Sequence, residues 1–235
     1  MKFPTSLIRG KLIQRYKRFL ADIELESGEE VTAHCANPGS MLGLKDPGMT
    51  VWVSEALNKT RKLKYDLQLV DADGVLVAIN TGNPNKLVEE AILDGTISEL
   101  SGYDTLRREV KYGVNSRIDI LLSGGGLADC YVEVKNVHML REKGLYEFPD
   151  SVTSRGAKHL VELSDMVEAG HRAVMVYLVQ REDGSKFRFA EDYDPAYVEA
   201  YRQAKTRGVE ALVYNCHIST DEITVKGRVT FEEPE

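Results

Sequence analysis

Ser116-Arg117-Ile118-Asp119-Ile120-Leu121-Leu122 is followed, after Ser123-Gly124-Gly125-Gly126, by Tyr131-Val132-Glu133-Val134-Lys135, and this pair decides how the chain is read. Both halves are rich in Ile, Val, Leu and Tyr and flank a Gly-rich turn, so they predict the two strands of a hairpin. Side chains alternate between the faces of a strand, which places Glu133 and Lys135 on one face and Val132 and Val134 on the other. In such a hairpin Asp119 can lie beside Glu133 without distorting the backbone. Two carboxylates and an ammonium among apolar strands are costly to bury without compensation. A divalent metal between Asp119 and Glu133 supplies it; a buried salt-bridge network of Asp119, Glu133 and Lys135 is the plainer alternative.

Outward from the pair, the pattern is mixed helix and strand. Leu106 to Tyr112 precedes it as a strand, and Lys86 to about Leu93 as a helix with Leu87, Val88, Ala91 and Ile92 as its apolar stripe. Asn83 or Asn85 is placed to cap that helix. Glu89 and Glu90 flank the stripe at similar angles; either can turn toward the site, and Glu90 joins Asp119 and Glu133 as a candidate metal ligand. After the pair, Arg141 to Asp150 reads as a loop. A helix from about Arg155 to Ala169 follows, then a buried-type strand, Ala173 to Val179. Asp194-Pro195 opens another helix, running to Gly208. Ala211 to Tyr214 and Glu222 to Phe231 are further strands. This is a mixed sheet with helices packed on it.

The N-terminal part is all β. Phe19, Ala21, Ile23 and Leu25 alternate with mostly polar residues, and before them Arg9, Lys11, Arg15 and Lys17 occupy odd positions. The odd face turns from basic to apolar near Lys17-Arg18, as a bulge or sharp bend in one long strand allows. Val31 to Cys35, Val51 to Val53, Leu67 to Val70 and Val75 to Ile79 supply further strands, with tight turns at Asn37-Pro38-Gly39-Ser40 and Asp71-Ala72-Asp73-Gly74. About five strands, the first long and bent, match the partly open barrel of an OB-fold. The junction Asn80 to Asn85 divides an all-β barrel (1–82) from an α/β domain (83–235).

Composition bounds the function. The 235 residues carry a net charge of −7 with a pI near 5.4, which argues against a protein that binds nucleic acid over its whole surface. Residues 1–82 are nevertheless at net +1 and the remainder at −8. The positive charge of the barrel is clustered at Arg9, Lys11, Arg15, Lys17 and Arg18, and again at Lys59, Arg61, Lys62 and Lys64. Each cluster reads either as a solvated strand face or as a DNA contact; Tyr16, Phe19, Trp52 and Tyr65 read as core or as stacking platforms. Three dispersed cysteines, Cys35, Cys130 and Cys216, favour reduced thiols over disulfides or a zinc site. No run approaches ~18 apolar residues, and the expectation is a cytoplasmic protein without a membrane partner.

The spacing Asp119-x(13)-Glu133-x-Lys135 is weak by itself. An acid-bearing helix precedes it, and a helix with Arg155, Lys158 and His159 follows. In that order the region 83–180 resembles the PD-(D/E)xK nuclease core, with Ile118 where the motif has Pro. Ser116–Asp119, Tyr131–Val137 and Phe148–Leu160, together with Asn37–Met41 and Glu99–Tyr103, resemble the sugar fermentation stimulation protein (SfsA) family over nearly the whole chain. The resemblance implies an OB-fold, a nuclease-like domain, DNA binding and a role in regulating sugar (maltose) catabolism.

The chemistry such a site supports is phosphodiester hydrolysis assisted by Mg²⁺ or Mn²⁺. Asp119 and Glu133 supply oxygen ligands, and Lys135 orients water or stabilises charge. Arg155, Lys158 and His159 are candidate phosphate contacts, as are Lys62 and Lys64, and Asp150 is a supporting acid or a loop residue. A non-cleaving DNA-binding regulator with a silent nuclease-like core is the alternative, and a carbohydrate- or small-ligand-binding protein is the third reading.

Overall fold

The computed structural model describes residues 1–234. Six strands open the chain: β1 (Ile8–Tyr16), β2 (Leu20–Leu25), β3 (Glu30–His34), β4 (Thr50–Glu55), β5 (Tyr65–Ala72) and β6 (Val75–Ala78). The first five run in the order β3-β2-β1-β4-β5, and β3 pairs with β5 in parallel through Ala33–Tyr65 and His34–Asp66. That pairing closes the sheet into an OB-like barrel. Its interior is filled by Leu12, Ala21, Ile23, Val51, Val53, Leu67 and Val70.

The long bent strand expected at the start is instead a hairpin. β1 and β2 pair antiparallel from Gly10–Leu25 to Tyr16–Leu20, and the chain reverses through Lys17 and Arg18 at φ of 47° and 63°. Left-handed backbone is the usual signature of Gly or Asn, and neither is present, so the turn is invisible to residue type. A bulge does exist, but it lies between Leu12 and Gln14.

The rest of the chain forms α1 (Pro84–Leu93), a 3₁₀ turn (Ser98–Leu100), β7 (Thr105–Tyr112), β8 (Ser116–Gly124), β9 (Leu127–Val137), β10 (Met139–Glu142), β11 (Gly144–Phe148), α2 (Ser154–Glu168), β12 (Arg172–Val179), β13 (Gly184–Phe189), α3 (Pro195–Thr206), β14 (Glu210–Ile218), β15 (Ile223–Arg228) and β16 (Thr230–Glu232). The main sheet has the order β15-β14-β12-β9-β8-β7. β9, β12 and β14 run parallel to one another, and β7, β8 and β15 pair antiparallel with their neighbours. Both faces are covered, which is why β12 reads as an unbroken apolar run. On one face α1 sets Leu87, Val88 and Ala91 against Ile120, Val132 and Val174. On the other, α2 and α3 set Leu160, Leu163, Tyr197 and Tyr201 against Leu121, Met175 and Tyr177.

Arg141–Asp150, expected to be a loop, holds the end of β10 and all of β11. They belong to a second small sheet, β10-β11-β13-β16, whose pairs join residues far apart in sequence, such as Tyr146 with Phe187 and Phe187 with Phe231. Charge conceals the strand. The Glu147 side chain is fully buried because Arg141 (2.7 Å) and Arg188 (3.0 Å) bond to it. The C-terminal segment likewise splits between the two sheets as β15 and β16.

Barrel and main sheet share a core. Leu69 and Ala78 pack in the cluster that includes α1, Trp52 is packed against it, and Ala78 N–H donates to the Gln180 carbonyl at 3.0 Å. No helix among the described residues is long and apolar enough to cross a membrane.

Candidate active site

The hairpin of β8 and β9 and the first turns of α1 and α2 converge on one point. Asp119 lies between Ile118, which packs on the α2 and α3 face, and Ile120, which packs on the α1 face; strict alternation breaks there, and the carboxylate turns toward α1. Its Oδ2 accepts from the Val134 backbone N–H at 2.8 Å, and its Oδ1 from the Asn85 amide at 2.7 Å. Asn85 therefore serves the carboxylate instead of capping its helix; Asn83 holds the N-cap position without a side-chain capping bond, its amide donating to Gln68 Oε1 at 3.3 Å.

Glu133 is 3% exposed. Its Oε1 accepts from Lys135 Nζ at 2.7 Å and is bonded to His159 Nδ1, while its Oε2 is buried with no partner. Burial opposes ionisation of both acids, but the outcomes diverge. At Asp119, burial and the neighbouring Glu133 charge outweigh two hydrogen bonds and push the pKa up to about 6. At Glu133, Lys135 and His159 overcome burial and hold the carboxyl below its usual value. The result is a half-buried acid beside a buried one, of opposite pKa shifts, with one acceptor oxygen of Glu133 left open.

These features fit a hard divalent cation. The donors are carboxylate oxygens, and the orphaned Glu133 Oε2 is an unused ligand position. Among the described residues no three His, Cys, Asp or Glu side chains come together as a ready-made metal cage. An ion held by Asp119 and Glu133 would therefore retain several waters, as Mg²⁺ and Mn²⁺ sites commonly do. Glu90 is not brought to this point. It pairs with the Met1 amino group at 2.7 Å and with Lys86 at 3.8 Å, and it does not line the cleft.

The acids lie in a cleft of about 500 Å³ between barrel and sheet. Arg18, Pro38 and Gly39 form its barrel wall; Ser151, Val152 and Arg155 form the opposite wall. Asp150 crosses the join. Its Oδ2 accepts from Ser40 Oγ and from the Met41 N–H, each at 3.4 Å, and lies 3.5 Å from His138 Nε2. At that distance the imidazole acts mainly by electrostatics. Burial alone would raise the Asp150 pKa; His138 and the barrel N–H groups lower it to about 2. His138 Nδ1 in turn meets the Asn136 amide at 3.0 Å, and Asn136 is bonded to Gln180.

The expected phosphate contacts scatter. Arg18 and Arg155 line the cleft. His159 does not present itself to solvent: it is buried against Glu133, with Arg155 Nε 3.3 Å from its Nε2. Lys158 bonds to the Val114 carbonyl at 2.8 Å and lies outside the cleft. Arg15 is a structural clamp, bonding the carbonyls of Arg18, Asn37 and Gly39. Arg9 pairs with Glu26 at 3.0 Å, Lys11 with Thr50 Oγ1 at 2.8 Å, and Lys64 with the Lys59 carbonyl at 2.5 Å. Lys17 and Lys62 are exposed. Asn85, Asn136, His138 and Gln180 are polar groups of the site that residue type alone did not single out; the only signal for Asn85 was a pair of Asn residues around Pro84 at a helix start.

The chain matches two family models, "SfsA N-terminal OB domain" over residues 13–79 and "Sugar fermentation stimulation protein RE domain" over residues 82–222. It is similar to proteins named sugar fermentation stimulation protein homolog. The relative from Maricaulis maris (strain MCS10) is 56% identical over 225 residues, 96% of each chain. The relative from Agrobacterium fabrum (strain C58) is 55% identical over 233 residues, 99% of this chain and 98% of that one. Among solved structures, Pyrococcus furiosus SfsA, described in complex with Ca²⁺, superposes with a TM-score of 0.89 at 26% identity, over 99% of this chain and 98% of that one. The chain belongs to the sugar fermentation stimulation protein (SfsA) family.

Proposed function

We propose that the cleft is a metal-dependent phosphodiesterase site acting on DNA. The observation that carries this reading is the pair of carboxylates, half-buried Asp119 and buried Glu133, with the Glu133 Oε2 unpartnered and Lys135 alongside. Asp119 and Glu133 would hold Mg²⁺ or Mn²⁺; such an ion, when bound, offsets phosphate charge and lowers the pKa of a coordinated water. The chain's own residues do the rest. Asn85 and the Val134 N–H fix the Asp119 carboxylate, and His159 with Lys135 fixes Glu133. Lys135 is the cation nearest the acids and supplies a donor for an attacking water or for charge developing on phosphate. Arg18 and Arg155 stand on opposite walls, where they can hold phosphates on either side of the reacting one. The Ca²⁺ named with the Pyrococcus relative belongs to that protein, and supports an oxygen-rich cation site in the family.

A second reading is favoured by one observation. Among the described residues no third metal-ligating side chain joins Asp119 and Glu133, and one Glu133 oxygen is already engaged by Lys135 and His159. On that reading the protein binds DNA without cutting it and acts in control of sugar (maltose) catabolism.

One experiment separates the two: incubation of DNA with Mg²⁺ or Mn²⁺ and either wild type or Asp119→Ala. Cleavage by wild type that is lost in the variant, with salt-sensitive binding retained, is the expected result. Binding without cleavage by wild type promotes the regulator, and absence of binding at low salt removes both.

A further inference from the structure

We infer that the cleft takes a single DNA strand, not a duplex, and that Phe19 at the tip of the β1–β2 hairpin is the stacking platform that holds it. The inference rests on reading the cleft as a phosphodiester site and names the form of its substrate.

Three observations carry it. The first is space. Half-buried Asp119 and buried Glu133 line a cavity of about 500 Å³, within the ~300–1,000 Å³ range of small-molecule pockets. A nucleotide can reach them. A base-paired segment is larger than a cavity of that volume, and Asp150, itself one of the lining residues, ties the barrel loop at Met41 to the segment ahead of α2.

The second is charge. A duplex footprint engages roughly 6–10 phosphates, yet most basic residues of the barrel are already committed. Arg9 is held by Glu26, Lys59 by Glu55, Arg61 by Asp66, and Arg15 by three carbonyls. At or next to the cleft, Lys17, Arg18 and Arg155 are exposed; the Arg18 guanidinium has one carbonyl contact, Pro38 at 3.2 Å. Three exposed cations, with Lys135 already paired to Glu133, suit a short single strand and are too few for a duplex on a protein of net charge −7.

The third is an exposed aromatic surface beside those cations. Phe19 follows Arg18 directly, is 45% exposed, and is stacked on His34 with ring centroids 6.4 Å apart at 24°. An aromatic ring backed by a second ring and open in front is what an unpaired base stacks on. Across the cleft, Val152 lines the mouth at 75% exposed, next to the turn that leads to Arg155. Phe19 stands just outside the cleft, next to Arg18, which lines it, and Val152 and Arg155 line it from the α2 side; an apolar side chain paired with an arginine is what tracks base and phosphate along one strand. A duplex hides its bases in its own stack and has no use for Phe19.

The test is fluorescence anisotropy of a short labelled DNA strand and of its duplex, in chelator so that neither is cut, with wild type, Phe19→Ala and Phe19→Trp. Thermal melts check that each variant folds. The expected result is at least tenfold tighter binding of the single strand, a tenfold or so loss in Phe19→Ala and recovery in Phe19→Trp. The logarithm of affinity should fall against the logarithm of salt with a slope of about −2, from ~0.7 per phosphate for single strands. Duplex bound as tightly as single strand, a slope of about −5 or steeper, or no loss in Phe19→Ala overturns the inference. Hydrolysis is scored separately with Mn²⁺. Cleavage of both forms without strand preference defeats the inference and leaves the phosphodiesterase reading standing; the expected strand preference without cleavage defeats that reading instead.

Discussion

Asp119 is the residue on which pH acts most directly. Its carboxyl is pushed up to about 6 by burial and by Glu133, against an ordinary value of 3.8. The folded protein therefore holds this proton more tightly than the unfolded chain does. Between about pH 4 and 6 the folded state binds more protons, so this group lowers stability as pH rises through that window, and the cost persists above it. A shift of about two units corresponds to roughly 3 kcal/mol as an upper figure. Asp119→Asn is expected to recover part of it, raising the denaturation midpoint above pH 6 and leaving it little changed near pH 4. The same variant should bind Mn²⁺ far more weakly. In wild type, Mn²⁺ affinity should fall about tenfold for each unit of pH below about 6, because proton and metal compete for one carboxylate; calorimetric titration across that range checks it. Stability given up at this acid pair is the trade expected of the proposed site.

At the scale of elements, the small sheet of β10, β11, β13 and β16 depends on a charge that the surrounding chain must neutralise. Glu147 on β11 is fully buried and bonded by Arg141 and Arg188, and Arg141 reaches onward to Asp192. Removing one partner of a buried ion pair typically costs about 3–5 kcal/mol, because the other is left uncompensated. Both arginines retain some exposure, so Glu147→Ala is expected toward the lower end, about 3 kcal/mol, by urea denaturation. Replacement by Gln should cost less. This sheet was not legible in sequence, since Arg141, Glu142 and Lys143 read as polar loop and its partner strands lie some 40 to 90 positions away. The β1–β2 hairpin escaped notice for a different reason: Lys17 and Arg18 adopt a left-handed backbone that their side chains do not advertise. The helices, by contrast, declared themselves. Asp194 accepts from the Tyr197 N–H at 3.1 Å as the N-cap ahead of Pro195, and Thr153 accepts from the Gly156 N–H at 3.1 Å.

For the whole molecule, the join between barrel and sheet decides whether a cleft exists. Asp150, just ahead of α2, reaches the barrel loop at Ser40 and Met41, and a side chain at Gly39 would collide with its carboxylate. The Asp150 pKa is lowered to about 2, so its contribution is fully present above about pH 4 and is lost as pH falls toward 2. That shift corresponds to about 2 kcal/mol. Asp150→Ala is expected to lower stability at neutral pH by at least that amount, and Gly39→Ala to do so by forcing the loop from the carboxylate. Both should widen the cleft, seen as faster hydrogen exchange of the Met41 amide.

The sequence by itself determined the elements that repeat a local signal: the alternating strands of the barrel, the amphipathic helices, and the pair of strands bearing Asp119, Glu133 and Lys135. Those follow from periodicity, caps and turns, which act over a few residues. Only the tertiary structure decided which charges meet. His159 lies on a helix that reads as a phosphate-facing surface, yet packing of α2 on the sheet turns it inward to Glu133. Glu90 shares a helix with Asn85, but it is Asn85, five residues earlier, that reaches Asp119. A side chain's partner depends on how elements are stacked, and small rotations of a helix exchange one neighbour for another without altering any local pattern. The acids of the opening hairpin could be read from the chain; the company they keep could not.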